Sequence, residues 1–255
     1  MKKLETHVVS IENIAKATFK LVIHVQADML NTIKPGQFVH IKVGEGTEHM
    51  LRRPISICDI SNTNETMTLI FKVFGKGTDQ LAKLTEGHAI DLLIPCGNGY
   101  PMDDIEAEHV LLIGGGIGVP PLYYLGKQLI KKGIKVTSIL GFQSAADVFY
   151  EDDFQTLGDV FVATNDGTYG IHGFVTDVIN EQSLFGDYYF SCGPTPMLQA
   201  VETKLKDTTG YLSLEERMGC GIGACYACVV KTTDGESTKK VCQDGPVFKA
   251  NEVQL

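Results

Sequence analysis

Four cysteines near the end of the chain restrict its fold more than any other feature. Cys220, Cys225, Cys228 and Cys242 follow the pattern C-x4-C-x2-C…C in a chain of 255 residues. This is the plant-type spacing for a [2Fe-2S] cluster held by four thiolates. Gly219, Gly221, Gly223 and Ala224 lie between and beside the ligands. With little or no side chain, they let the backbone wrap a small inorganic centre and aim N–H groups at its sulfurs. The competing reading is a four-cysteine zinc site. Structural zinc ligands commonly sit in close pairs on two separate knuckles, whereas here three share one glycine-rich loop.

The remaining cysteines, Cys58, Cys96 and Cys192, are scattered, and each reads by default as a small buried apolar side chain. An odd total of seven argues for metal ligation before disulfides. Residues 1–21 lack the unbroken apolar run of a signal peptide or membrane span, so a cytoplasmic protein with no membrane partner is expected. Hydrophobic residues make up 44% and charged residues 21% of the chain, an ordinary folding composition that excludes disorder. The formal charge is −9, and no basic stripe is present, which argues against a nucleic-acid partner.

The first hundred residues alternate in strand fashion over 19–25, 38–43, 55–60, 67–74 and 88–94. Turns at Lys34-Pro35-Gly36, Gly44-Glu45-Gly46 and Ser61-Asn62 separate them, the pattern of an antiparallel barrel or sandwich. From about Glu108 the rhythm changes. Strands over 109–113, 135–140, 160–164 and 188–191 alternate with helical stretches over 120–132, 173–180 and 194–206, which implies a mostly parallel sheet. After Gly210 the chain reads as loop-rich. The expected architecture is therefore multidomain β and α/β: an N-terminal antiparallel β-barrel over 1–102, a central parallel α/β nucleotide-binding domain over 103–210, and a small cluster domain over 211–255.

Gly114-Gly115-Gly116-Ile117-Gly118 falls between a predicted strand and a helix beginning near Pro120. Glycines there let a pyrophosphate approach the backbone and the helix N-terminus. The run is not G-x-G-x-x-G, because Pro121 takes the place of the third glycine, so a tight βα turn stands as the alternative. Ser191-Cys192-Gly193-Pro194 ends a later strand, and in a parallel sheet both loops face one crevice. The chain has only three arginines, and two are the adjacent Arg52-Arg53 before Pro54-Ile55-Ser56. An arginine fork beside a hydroxyl suits a diphosphate, and a solvated surface pair is the alternative. Arg217, beside the cluster loop, reads as an ion-pair partner or as part of a docking surface.

An iron–sulfur cluster passes single electrons, whereas a nicotinamide exchanges a hydride. A chain that binds both needs a converter between them, and a flavin in the barrel meets that need.

Arg53-Pro54-Ile55-Ser56, the glycine run, Cys192-Gly193-Pro194 and the C-terminal cysteine loop together resemble the ferredoxin-NADP reductase superfamily. Within it, their order over essentially the whole chain is similar to the electron-transfer subunits of class 1B dihydroorotate dehydrogenase, the PyrK family. The resemblance implies one FAD and one [2Fe-2S] cluster per subunit, with NAD+ as co-substrate. It implies that Arg53, Pro54, Ile55 and Ser56 contact FAD, together with Ile70, Phe71 and Lys72 on a neighbouring strand and Gly77 and Thr78 beneath the pyrophosphate. Thr78 is placed to cap a helix over 79–84. Many relatives carry Tyr where this chain has Ile55. Pro95-Cys96-Gly97-Asn98-Gly99-Tyr100 resembles the glycine loop that closes the barrel. Gly114, Gly116, Gly118, Cys192 and Gly193 would face the nicotinamide nucleotide, although Cys192 reads nearly as well as a buried thiol.

The family picture implies a partner subunit that oxidises dihydroorotate on its own FMN, in a heterotetramer of two of each subunit, for pyrimidine biosynthesis. This chain would hold no orotate site. NAD rather than NADP fits the absence of Lys or Arg over 141–150. Two other readings stand beside this one: an NAD(P)H reductase feeding an oxygenase or hydrogenase, and a zinc-stabilised binding module without chemistry.

Overall fold

A computed structural model of the chain describes residues 1–44 and 49–255. Strands β1 (Lys2–Ala15), β2 (Thr18–His24), β3 (Phe38–Ile41), β4 (Arg53–Ser61), β5 (Thr66–Lys72) and β6 (Ala89–Cys96) pair in the order β1-β2-β5-β4-β3-β6 and close into a barrel. All its pairings are antiparallel. Short helices α1 (Ala27–Leu30) and α2 (Lys76–Leu81) lie in its connections. In β6 the burial alternates strictly, with Ile90, Leu92 and Ile94 in the barrel core and Cys96 buried against the cluster segment. Of the expected turn Gly44-Glu45-Gly46, Glu45 and Gly46 lie outside the described residues.

Strand β1 was not expected, and it closes the barrel. Lys2 to His7 pair with β6, and Val8 to Ala15 pair with β2. Only Val8 is fully buried along it, so the sequence there carries no clear alternation.

The second sheet comprises β7 (His109–Gly115), α3 (Pro120–Lys131), β8 (Lys135–Phe142), α4 (Glu151–Gln155), β9 (Gly158–Thr164), β10 (Ile171–His172), α5 (Val175–Glu181), β11 (Tyr188–Cys192), α6 (Thr195–Lys204) and β12 (Thr209–Ser213). A hairpin of β13 (Val229–Lys231) and β14 (Thr238–Lys240) follows, and β15 (Val247–Lys249) ends the chain's regular structure. The strand order is β10-β9-β8-β7-β11-β12-β15, parallel except for β15. Strand β7 is buried on both faces, which explains its continuous apolar run. Helix α5 starts two residues later than expected. Gly173 has φ +133°, and the Phe174 N–H donates to Asp177 Oδ2 at 2.8 Å, so the helix begins after them.

The boundary expected at 210/211 falls inside β12, and β15 returns to pair with that strand. The cysteine-bearing segment is thus held between two strands of the second sheet. It is too small to own a core: Met218, Cys228, Val241, Cys242 and Phe248 pack with Phe38 and Cys96 of the barrel and with Ile113 and Leu198 of the sheet. Barrel and sheet are joined directly as well. Lys127 of α3 meets Asp59 of β4 at 2.7 Å, and Tyr124 of α3 packs in the barrel core.

Candidate flavin, nucleotide and cluster sites

A cleft of about 330 Å³ opens where the three segments meet. Adjacent strands β4 and β5 supply Arg53, Pro54, Ile55, Ser56, Ile70, Phe71 and Lys72, and α2 supplies Thr78. The Arg53 guanidinium lies against Gly77, in space that any Cβ would occupy, so the missing side chain lets that cation lie at the cleft wall. Lys72 is anchored to Asp147 of the nucleotide domain at 2.8 Å. The cleft has walls that the sequence did not announce. Phe38, Ile117 of the glycine run, Leu214, Glu215, Arg217 and Met218 also line it. Glu215 opens to the cleft, yet the enclosure around its carboxyl raises its pKa. Arg217, left open between two roles, lines this cleft.

Two expectations need correction. Thr78 does not start a helix over 79–84. It lies in the first turn of α2, after the cap position at Gly75, and its Oγ1 accepts the N–H groups of Phe74 and Gly75 at 3.0 and 3.3 Å. The Phe74–Gly75 amides would otherwise lack partners, so the hydroxyl reaches back to them. Nor do Arg52 and Arg53 act as one fork. Arg52 turns away and donates to the carbonyls of His40 and Asp91, with its Nη2 2.7 Å from Asp91 Oδ1 in an ion contact rather than an aligned hydrogen bond. Arg52 lies just before β4 and its contacts with His40 and Asp91 draw it away from Arg53, the first residue of the strand.

Burial alone would raise the Asp91 carboxyl, but Arg52 and then Lys3 outweigh it and hold the group below its ordinary value. The pair's contribution is therefore full above the ordinary carboxylate pKa and is lost as pH falls through the lower folded-state value. Asp91→Asn is expected to cost about 1 kcal/mol at neutral pH. Urea unfolding should show the gap from the wild-type protein closing below about pH 4.

A second cleft, of about 450 Å³, lies at the carboxyl ends of the parallel strands, where α/β sheets bind ligands. Gly115 and Gly116 after β7, Gly141 to Gln143 at the end of β8, Asn165 after β9, and Pro194 and Met197 at α6 line it. Both predicted loops thus reach one crevice, with no Lys or Arg in its wall. Gly114 and Gly118 serve packing instead: a Cβ at Gly114 would lie 2.8 Å from Val119, and one at Gly118 would overlap the Cys192 carbonyl. Gly193 sits against Met197 and Gly115. Cys192 is buried beneath this crevice, and burial pushes its thiol well above the ordinary value, with Glu215 adding to the effect. Cys58 and Cys96 are buried as expected.

The cluster loop presents its cysteines in two neighbouring pairs, Cys220 with Cys225 and Cys228 with Cys242. Amides of Ile222, Ala224 and Cys225 donate to Cys220 Sγ at 3.3–3.4 Å, and Gly223 N–H donates to Cys242 Sγ at 3.2 Å. Burial opposes ionisation of Cys220, but these amides outweigh it and bring the thiol down to about 6. Burial, then the adjacent Cys228, pushes Cys242 up to about 12. Two thiol pairs suit two irons, and amides aimed at sulfur suit the negative charge that such a cluster carries. Asn98 of the glycine loop after β6 ties the barrel to this segment through the carbonyls of Gln243 and Asp244.

Residues 215–254 match the family described as the iron-sulfur cluster binding domain of dihydroorotate dehydrogenase B. A relative from Bacillus mycoides (strain KBAB4), named dihydroorotate dehydrogenase B (NAD(+)), electron transfer subunit, is 50% identical over the whole of both chains. The chain belongs to this family of electron transfer subunits. A family member with the same name from Shouchella clausii (strain KSM-K16) is 49% identical over 95% of this chain and 94% of its own length. Among solved structures, an NADH-dependent reduced ferredoxin-NADP oxidoreductase superposes with a TM-score of 0.86 at 31% identity, over 98% of this chain and 89% of that one. A ferredoxin NADP+ reductase from Neisseria gonorrhoeae, solved with FAD and NADP, shares the fold: TM-score 0.69 and 16% identity over 85% of this chain and 94% of that one. No helix among the described residues is long and apolar enough to cross a membrane.

Proposed function

We propose that this chain is the oxidoreductase component that carries electrons from dihydroorotate, oxidised on the FMN of a separate catalytic subunit, through [2Fe-2S] and FAD to NAD+ in pyrimidine biosynthesis. The assembly pairs two copies of each subunit. One observation carries the reading: a single cleft is walled by the barrel, by Ile117 of the nucleotide-binding turn, and by Leu214 to Met218, which lead directly into the first cluster cysteine.

In this reading Arg53, Ser56 and Thr78 hold the FAD phosphates and flavin edge, while Pro54, Ile55, Ile70, Phe71 and Lys72 complete the wall. FAD supplies a centre that holds one or two electrons, so that a one-electron cluster and a two-electron nicotinamide can exchange. Arg53 is suited to phosphate oxygens because Gly77 leaves room for its guanidinium at the cleft and that group cannot lose its charge. Ile55 offers an apolar surface with no donor. Gly115, Gly116 and Gly193 let the nucleotide approach the backbone, and Cys192 sits neutral below it. Cys220, Cys225, Cys228 and Cys242 hold the cluster, and the exposure of Cys225, Ile222 and Tyr226 supports this loop as the face that meets the partner.

The test is anaerobic spectroscopy of the chain co-purified with its catalytic partner. Dihydroorotate should bleach both flavin and cluster absorbance, and NAD+ should restore them. A complex bleached by NADH but indifferent to dihydroorotate would establish the reductase reading instead, and a colourless protein carrying zinc would refute both.

A further inference from the structure

Strand β3 is only four residues long and is buried at every one. Its two faces have different neighbours. Val39 and Ile41 pack inside the barrel, whereas Phe38 packs with Met218, Cys228 and Cys242 of the cluster segment. Alternation puts His40 on the outward face with Phe38. Its ring has no solvent exposure, and neither Nδ1 nor Nε2 has a hydrogen-bond partner. Buried polar groups left unpaired are costly, so two on one ring call for an explanation.

The surroundings supply one. Gly221, next to Cys220, has φ +68° and lies so close to the ring that a Cβ would overlap Nδ1. The backbones of Arg52 and Cys220 lie near the imidazole, but neither is aligned with it in a hydrogen bond. We infer that His40 is the positioning residue through which the barrel holds the cluster loop: the ring supports Gly221, and with the cluster seated a ring N–H turns onto the nearby Cys220 carbonyl. The amides of Ile222, Ala224 and Cys225 that point at Cys220 Sγ are then fixed from below. His40 is also paired with Pro54 across β3 and β4, the strands whose Phe38, Pro54 and Ser56 line the flavin cleft. One strand pair thereby sets the spacing between both cofactor sites. Outer contacts of this kind typically change metal affinity by about 10–100-fold.

The inference rests on the assignment of the cluster to the four cysteines and fails separately from it, since an iron-free wild-type protein would refute the assignment alone. The experiment uses the chain co-expressed with its catalytic partner and follows cluster loss to excess iron chelator, the visible circular dichroism of the cluster, and FAD content. His40→Leu keeps bulk but removes both nitrogens, His40→Gln keeps a donor, and Gly221→Ala pushes the loop off the ring. Expected is release about tenfold faster in His40→Leu and Gly221→Ala, with altered dichroism and full FAD, and release near the wild-type rate in His40→Gln. Unchanged release and dichroism in His40→Leu overturns the inference. So does equal release from the Gln and Leu variants, or loss of FAD together with iron. Should His40→Leu fail to accumulate, the other two variants decide: faster release from Gly221→Ala and not from His40→Gln supports it, and any other pattern overturns it.

Discussion

Replacing Cys225 with Ser should leave a yellow protein that has lost its cluster. A serine hydroxyl is not a thiolate, and one of four ligands is gone from a loop whose amides are arranged around sulfur. Changes outside the ligand set alone cost about 10–100-fold in metal affinity, so removal of a ligand costs at least that much. FAD should remain at full occupancy, because Cys225 is exposed at the loop's outer edge and does not line the flavin cleft. NADH should still bleach the flavin, while turnover from dihydroorotate to NAD+ falls at least about tenfold. Iron analysis, the visible spectrum and both assays check the result. Unchanged turnover would remove the cluster from the electron route.

The second large effect is expected at Gly118. A Cβ there would overlap the Cys192 carbonyl and the Gly193 nitrogen, which are backbone atoms and cannot rotate aside. The turn into α3 and the turn after β11 touch at this point, and their contact sets the width of the nucleotide crevice. Gly118→Ala must therefore separate the two loops. Overpacking of this kind typically costs about 1–3 kcal/mol, and a rigid neighbour puts the substitution at the upper end. For a chain of this size that corresponds to a fall in Tm of about 6–12 °C. NAD+ should bind about tenfold more weakly, since the crevice is lined from both loops. FAD occupancy is expected to be retained because the barrel is untouched. Calorimetric melting and titration with NAD+ measure the two effects, and wild-type values for both would show that the loops separate freely.

The proposed cluster ligands stand out in the sequence because they are close together in it. Three lie within one nine-residue loop, and the loop's glycines reveal how near the backbone must come. The barrel and the parallel sheet were legible for a similar reason, since side-chain alternation and continuous apolar runs are local signals. Strand β1 escaped because its faces are nearly all exposed or half-buried, and β15 because three residues carry no period. The nine flavin-site residues expected on β4, β5 and α2 came from resemblance to a family, and the structure brings eight of them to one wall, with Gly77 against Arg53. Nothing local distinguished Glu215 or Ile117 as members of the same cleft.

The sequence by itself determined which chemistry the chain can hold: four thiolates at cluster spacing, a glycine-rich βα turn, and an Arg-Pro-Ile-Ser strand. Tertiary structure alone decided which similar residues serve it. Asp91 takes Arg52, just before β4, and leaves Arg53, the first residue of that strand, to the cleft. Gly116 lines the nucleotide crevice while Gly114 and Gly118 are packed against protein. His40 lies 181 positions before Gly221 and meets it only because a four-residue strand is covered on its outer face by the cluster segment. Such contacts depend on long-range packing, which leaves no trace in the order of neighbouring residues.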